Sequence, residues 1–468
     1  MTNKMPRLIP WMISISALVF FVTSVARHLL YKSTAFDLGI FDQAVYLISQ
    51  GLNPISSYMG YHILGDHAAF IFYPIAALYK IYPSVYWLFA LQAISLAGAA
   101  LPLWYLCLQA GLVSKQAIAI VAAYLLYPVV LNVNLFDFHP EVMAVPAFFT
   151  AILWARAGKI WGFIASVIWI LSCKAVLSLT VLAMGVWLLI FEKRRWCGAI
   201  AIALGISWFL ISTQVIIPSF SGKEAAAVGR FAYLGNSVQE IAMNLILKPG
   251  AVWGKILSWE NFGYLILLLS PVIWGISRVA LPPLVAAIPC VAINILADYQ
   301  PQKDLVHQYS LPALPFLMVA LIASLAANRT WVKSPRIIII WSVVTFLCLA
   351  KYTHFGGRYL QCLHTWQATN QAIAQIQTSG SVSTTAEIAT HLSHRQIIQE
   401  VYPQSSPEQL QEFDYILLNT CRPDWLSRGG FATNLVKQLK NQPEFNLIYA
   451  QDEVYLFTSQ RKQSQPKK

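Results

Sequence analysis

Two aspartates set five residues apart, Asp37 and Asp42 in Ala35-Phe-Asp-Leu-Gly-Ile-Phe-Asp-Gln-Ala-Val-Tyr46, are the first side chains able to do acid–base chemistry. A helical pattern follows them and stops at Gly51. Five residues of helix turn through about 140°, so in an unbroken helix the two carboxylates would not share a face. Asp37 is expected at or before the helix start, where it can cap the helix or face a cavity. The plain alternative is an N-cap at Asp37 and a solvated Asp42. Three further stretches gather acids and histidines: Tyr61-His-Ile-Leu-Gly-Asp-His67, Asn134-Leu-Phe-Asp-Phe-His-Pro-Glu141 and Asp304-Leu-Val-His-Gln-Tyr309. Lys174, in Ser172-Cys-Lys-Ala-Val, interrupts an apolar run. It can snorkel to an interface or meet a lipid-linked phosphate.

The elements that must position these residues are membrane spans. Of 468 residues, 57% are hydrophobic and 11% charged, where soluble domains carry about 25% charged residues. Apolar runs near the ~20 residues a bilayer needs occur at 8–27, 84–108, 116–136, 141–157, 160–173, 175–191, 197–217, 262–278, 280–297, 310–327 and 337–351. The run 68–82 is expected to lie at the outer surface. Threading the chain through eleven spans puts Lys4, Arg7, Lys115, Arg156, Lys159, Lys193, Arg194, Arg195, Arg278, Arg329, Lys333 and Arg336 on one side, with Glu192 the sole acid there. The other side is nearly neutral. The positive-inside rule then predicts a cytoplasmic N-terminus and an extracytoplasmic C-terminal part. On this reading the net charge of +12 is a topology signal rather than a nucleic-acid surface.

All nine histidines, with Asp37, Asp42, Asp137 and Glu141, fall on the outer side of that topology. Polar groups close to a bilayer are costly and tend to face a cavity or a partner. Their recurrence at one face favours a shared site over helix caps touching headgroups. The first span lacks a small-residue cleavage site and reads as a signal anchor. The seven cysteines show no metal or redox spacing. Cys362 and Cys421 share the outer part and can pair there.

From about Thr353 the pattern changes. A helical stretch 359–377 leads to strands at 381–384, 396–401, 415–419, 445–450 and 453–458, with helices at 387–393, from Ser406, and at 433–441 between them. Alternation of this kind predicts a small α/β domain. The expected fold is mainly α: a polytopic bundle over 1–352 with outer loops 28–83 and 218–261, an extracytoplasmic α/β domain over 353–460, and a disordered tail, 461–468.

Phe-Asp-Leu-Gly-Ile-Phe-Asp-Gln (36–43), Phe-Asp-Phe-His-Pro (136–140), His307-Gln-Tyr309 and Thr390-His-Leu-Ser-His-Arg395 resemble the signatures of an uncharacterised family of predicted bacterial membrane proteins. That family is grouped with the GT-C superfamily of membrane glycosyltransferases, and the resemblance runs from about residue 10 to residue 420. It implies a bundle whose first outer loop carries the catalytic acid, and a polyprenyl-phosphate sugar donor in the plasma membrane. Asp37 matches the superfamily's first-loop aspartate better than Asp42 does. The chain departs from the common pattern where Leu38 follows Asp37, and where Lys174-Ala-Val lacks an acid.

Transfer to a hydroxyl needs a base for its proton, and the departing phosphate needs cationic or histidine donors. Asp37, with Asp42 as the other candidate, supplies the base. His67, Asp137, His139, Glu141, Lys174, His307 and Tyr309 form the substrate-binding set. These residue types are compatible with a divalent metal, although the loops show no recognised ligand spacing. The expected partners are the lipid-linked donor and membrane lipids, with no nucleic acid. The rival readings are a transporter or flippase for a lipid-linked or anionic substrate, and a non-catalytic envelope scaffold. Transporters tend to place ionisable groups near the midplane, whereas here they gather at one face.

The topology has a direct test. A cysteine introduced at Ser405 is expected to react with an impermeant maleimide in intact cells; labelling only after lysis would refute the extracytoplasmic placement.

Overall fold

A computed structural model describes residues 5–421 and 430–460. Lys4 and the expected tail 461–468 lie outside the described residues. Among the described residues the chain is mainly helical, with a two-stranded hairpin and a five-stranded sheet. Among the described residues, six helices are long and apolar enough to cross a membrane: Leu8–Leu29, Tyr86–Gln109, Ser114–Leu135, Arg195–Ser221, Arg278–Leu296 and Gln308–Ala326. Pro335–Leu349 joins Tyr352–Tyr359 at a 40° bend and makes up to seven. The other expected spans are shorter. Ile160–Cys173 and Leu177–Ile190 have 14 residues each, Ala144–Arg156 has 13 and Trp259–Leu269 has 11. Length is lost where a polar residue or proline breaks the ladder, as at Lys174, whose extended backbone ends the helix before it.

The chain divides into two compact units. The first holds Met1–Thr23, Ile63–Ile71 and Leu88–Tyr352. Lipid tails give helices no hydrophobic reason to associate, so small residues that admit close contact decide the packing. Leu177–Ile190 and Arg195–Ile211 show this. A Cβ at Gly185 would lie 2.8 Å from the Gly198 carbonyl oxygen, and one at Gly205 would lie 2.8 Å from the Leu182 nitrogen. Buried polar side chains are tied to backbone that helices leave unbonded. Asn132 donates to the Leu305 carbonyl at 2.9 Å and accepts from the Lys351 amide at 2.7 Å, just past the end of Pro335–Leu349.

The second unit holds Ser24–His62, Phe72–Trp87 and Thr353–Lys468. Sequence alone assigns the loop 28–83 to the bundle; most of it here packs with the C-terminal part. The sheet contains β3 (Val382–Thr384), β4 (Ile398–Glu400), β5 (Tyr415–Asn419), β6 (Phe445–Gln451) and β7 (Val454–Ser459), after a small hairpin of β1 (Ile55–Ser56) and β2 (Tyr61–His62). Its order is β4-β3-β5-β7-β6. The first three strands are parallel, and β7 is antiparallel to both β5 and β6. Side chains alternate between faces along a strand. Leu417 therefore joins a cluster with Val382, Ala368, Ala372 and Leu456, whereas Ile416 and Leu418 join Leu435, Leu439 and Phe457. Tyr31 and Ala35, from the segment after the first helix, complete the Leu417 cluster.

Local boundaries differ from the sequence pattern in three places. Within the stretch 359–377 the helix is confined to Trp366–Ala374 and the short turn Leu363–Thr365 before it, and Cys362, just ahead of them, is in the left-handed region. The expected helix 387–393 contracts to Ala386–Ala389. Asp37 sits inside a π-helical turn, Ala35–Gly39, rather than at a cap.

Cys362 and Cys421 form a disulfide across 59 residues. Closing a loop of that size removes chain entropy worth roughly 4 kcal/mol from the unfolded state. The double variant Cys362→Ser/Cys421→Ser is expected to be cleaved faster within 353–460 by protease added to membranes. Cleavage at the wild-type rate would show that the bridge contributes nothing to this unit.

Candidate functional site

Two groups of polar side chains stand out, one in each unit. In the second unit, Ile40–Ser49 continues from the π-turn and buries its Asp42 face. The Asp42 carboxylate is 1% exposed. It accepts hydrogen bonds from the Tyr79 hydroxyl at 2.5 Å, from the Ser393 hydroxyl, and from His394 Nε2, which lies 3.1 Å from Oδ2. Burial pushes Asp42 up, but the His394 charge and the bonds from His394, Ser393 and Tyr79 outweigh it, and the carboxyl is held below the usual range. Burial pulls His394 down, yet the Asp42 charge and hydrogen bond lift it above the ordinary imidazole value, against opposition from Arg395. Burial, with the neighbouring Asp42 charge, raises the Tyr79 hydroxyl well above its ordinary value. It therefore remains a donor. Asp42 is thus ionised, with its acceptor sites engaged.

The ring of His394 stacks on Tyr46, with centroids 4.7 Å apart. Gln43 donates to the Ser57 hydroxyl at 2.8 Å and to the Arg395 carbonyl at 3.1 Å. Ser57 donates to the Ile398 carbonyl and accepts from the Ile398 amide, satisfying backbone groups on the edge strand β4. His391 stacks on His28 at 3.9 Å, and its Nε2 donates to the His28 carbonyl at 3.0 Å. The stretches 36–43 and 390–395, far apart in sequence, are therefore interlocked. Asp37 is half-buried on the π-turn at the start of this arrangement. Sequence reasoning placed Asp42 beside Asp37 as a candidate acid but left Ser393, His394 and Tyr79 off the site. The two histidines of His391-Leu-Ser-His394, three residues apart, were the available signal.

In the first unit, Lys174 meets Glu141 at 2.5 Å; their side chains are 10% and 5% exposed. Glu141 Oε2 is buried without a hydrogen-bond partner among the described residues. The Lys174 backbone is extended between two helices. The neighbouring Ala175 amide donates to the His67 carbonyl, and the Ile71 amide to the Ser172 carbonyl. His67 is held well below the ordinary imidazole value, first by burial and then by the Lys174 charge, with Arg230 and His139 adding to it against an Asp66 hydrogen bond.

Phe136 joins the remaining expected residues, stacked on His139 at 5.7 Å and edge-on to His307 at 4.7 Å. His139 Nδ1 lies 3.0 Å from the Asp137 carbonyl oxygen, and Asp137 itself is buried. Asp304 accepts from the Val306 and His307 amides and holds His307 Nδ1 at 2.9 Å. Tyr309 packs against the Arg230 guanidinium, 5.0 Å from its ring. Arg230, in the long loop 218–261, carries no motif and was missed.

The structure thus gathers His67, Asp137, His139, Glu141, Lys174, His307 and Tyr309 in the first unit, and Asp37 with Asp42 in the second. Among the described residues, one group has metal-capable atoms close together: His364, Cys421 and Glu453. The Cys421 sulfur is already bonded to Cys362.

The Asp42–His394 pair predicts a pH signature. The Asp42 contribution to stability is complete above its ordinary value of about 3.9 and is lost as pH falls through the lower folded value. The His394 contribution is complete below about 6.5 and is lost as pH rises through the raised folded value. The melting-temperature gap between wild type and Asp42→Asn is therefore expected to be widest between those limits and to narrow on the alkaline side. A gap that widens steadily into alkali would refute the ion pair.

A family model described as "Predicted membrane protein (DUF2079)" matches residues 27–456. No curated protein sequence matches the chain. Among solved structures, ArnT from Cupriavidus metallidurans bound to undecaprenyl phosphate is similar at a TM-score of 0.54 and 12% identity, over 98% of this chain and 99% of that one. The same protein in the apo state is similar at a TM-score of 0.56 and 10% identity, over 96% and 97%. At such identities the likeness is one of fold. With nearly its whole length matched by the family model, this chain belongs to the DUF2079 family of predicted membrane proteins and has an ArnT-like fold.

Proposed function

We propose that this chain is a membrane glycosyltransferase of the bacterial plasma membrane. It moves a sugar from a polyprenyl-phosphate donor to an acceptor hydroxyl on the outer face, with inversion at C1. The observation that carries this reading is a fold shared over 98% of the chain with a protein crystallised with undecaprenyl phosphate. The orientation is N-terminus in and C-terminal domain out, with the shorter apolar helices completing about eleven spans. A disulfide in the C-terminal part fits an oxidising compartment.

In this reading the phosphate side falls to the first-unit group. Lys174 is a desolvated cation already paired with Glu141, and an incoming phosphate competes for it. Phosphate is a stronger multi-oxygen acceptor than one carboxylate. His67, His139, His307 and Arg230 add donors, and His67 gains a proton more readily once an anion offsets Lys174. Tyr309 keeps Arg230 in place through its ring face.

The base is Asp37. The acceptor oxygen attacks C1 as its proton passes to Asp37. The C1–O bond to phosphate breaks, and polyprenyl phosphate departs with the electron pair. Asp42 is unsuited to that task, because its oxygens already accept from three donors and its proton affinity is lowered. It positions the loop that bears Asp37.

Asp37→Asn keeps shape and most hydrogen bonds but removes the proton acceptor. Transfer from a polyprenyl-phosphate sugar in membranes is expected to fall by roughly a hundredfold or more, with expression and donor retention unchanged. Full activity in Asp37→Asn would remove it as the base. Donor movement across the bilayer by wild type, with no transfer to any acceptor, would favour a flippase instead.

A further inference from the structure

At the end of the first unit where Ala144–Arg156 and Leu177–Ile190 finish and Arg195–Ile211 begins, there is a cavity of about 330 Å³. It is lined by Gln109, Arg156, Glu192, Arg194, Ile322 and Ala323, among others. Arg156 is fixed there: Nε and Nη2 donate to the two Glu192 oxygens at 3.1 and 2.7 Å, and its guanidinium lies 5.8 Å from the Trp187 ring. A guanidinium carries five N–H donors, so this pairing leaves others for a further acceptor. Lys159, Lys193, Arg194 and Arg195 follow in the two turns, Arg194 lining the cavity and Lys159 over the Trp154 ring at 4.7 Å, and Glu192 is the one acid among these residues. Lys159 and Arg194 stand at the N-cap positions of Ile160–Cys173 and Arg195–Ile211, which have no acid in their first turns. Cations there are opposed by the helix dipole, so local helix structure does not account for them; their side of the membrane does, under the positive-inside rule.

The neighbours of these cations are apolar and uncovered. Trp161 is 83% exposed and Trp196 75%, and Ile190 and Phe191 are half exposed. Tryptophan beside Lys and Arg at the end of apolar helices is the composition of a membrane interface, and basic pockets between spans suit anionic headgroups. A small soluble anion would use the cations but not the indoles. An amphiphile uses both.

We propose that this cavity binds the headgroup of an anionic phospholipid from the leaflet at this end of the spans. The phosphate meets Arg194 and the donors of Arg156 not used by Glu192, and the acyl chains lie along Trp161 and Trp196. The site requires nothing of the glycosyl-transfer reading and stands or falls separately from it.

The test is native mass spectrometry of the full chain in detergent, incubated with phosphatidylglycerol or phosphatidylcholine. Wild type is expected to retain phosphatidylglycerol about tenfold better. Arg194→Gln/Arg195→Gln, two exposed positions, is expected to lose that preference while eluting as wild type does on size exclusion. Lys333→Gln, a cation removed elsewhere, is expected to keep it. Millimolar inorganic phosphate is expected to leave the lipid bound. Equal retention of the two lipids, equal loss in Lys333→Gln, or displacement by phosphate would each overturn the proposal, the last by making this a small-anion site.

Discussion

A carboxylate removed from water must be given partners, and Asp42 is the place where this requirement organises the second unit. Desolvation alone would raise its proton affinity. Three donors keep it charged instead: Tyr79 from Phe72–Ile81, and Ser393 with His394 from the C-terminal part. Satisfying one group therefore joins three separated stretches of chain. The contacts around it follow: Tyr46 under the His394 ring, Gln43 reaching the Arg395 carbonyl, and Ser57 bonded to the edge strand β4. A buried ion pair of this kind is modest evidence for stability. Its value here lies in register, since a shift of one residue in 390–395 would leave the carboxylate with Tyr79 alone of these three donors.

The first unit meets a related requirement differently. Lys174 falls between two short apolar helices, and Glu141 neutralises it. This pair is incomplete, because Glu141 retains a buried oxygen without a partner among the described residues. The contrast bears on function. A carboxylate that already accepts from three donors holds structure in place, whereas under the proposed function the Lys174–Glu141 pair is the one that opens to a ligand. The packing that supports this pair is backbone against backbone, with Gly185, Gly198 and Gly205 admitting the close approach of Leu177–Ile190 and Arg195–Ile211.

Fold likeness at 12% identity brings no residue correspondence with it, so the roles assigned to side chains rest on their own environments. Asp37 is half-buried on a π-turn, an irregularity common at functional sites. The anchored Asp42 follows it one turn later. Arg230 reaches its place through aromatic faces and one Gln302 bond rather than a carboxylate, and its charge remains available to an anion.

What the sequence determined by itself was additive and local. Composition set the membrane class, because hydropathy sums along the chain. Apolar runs located Leu8–Leu29, Ser114–Leu135 and Gln308–Ala326, and short β-rich runs located β5 and β7 within a residue or two. Asp37 and Asp42 announced themselves by type. What distinguished them did not lie nearby: the partners of Asp42 are Tyr79, Ser393 and His394, and a local window carries no information about contacts across 350 residues. Glu141 and Lys174 were both singled out, yet their pairing required the fold, since charge complementarity is common to every acid and every lysine. Arg230 left no trace, because a lone arginine in a long loop acquires meaning only from the tyrosines that tertiary structure sets against it.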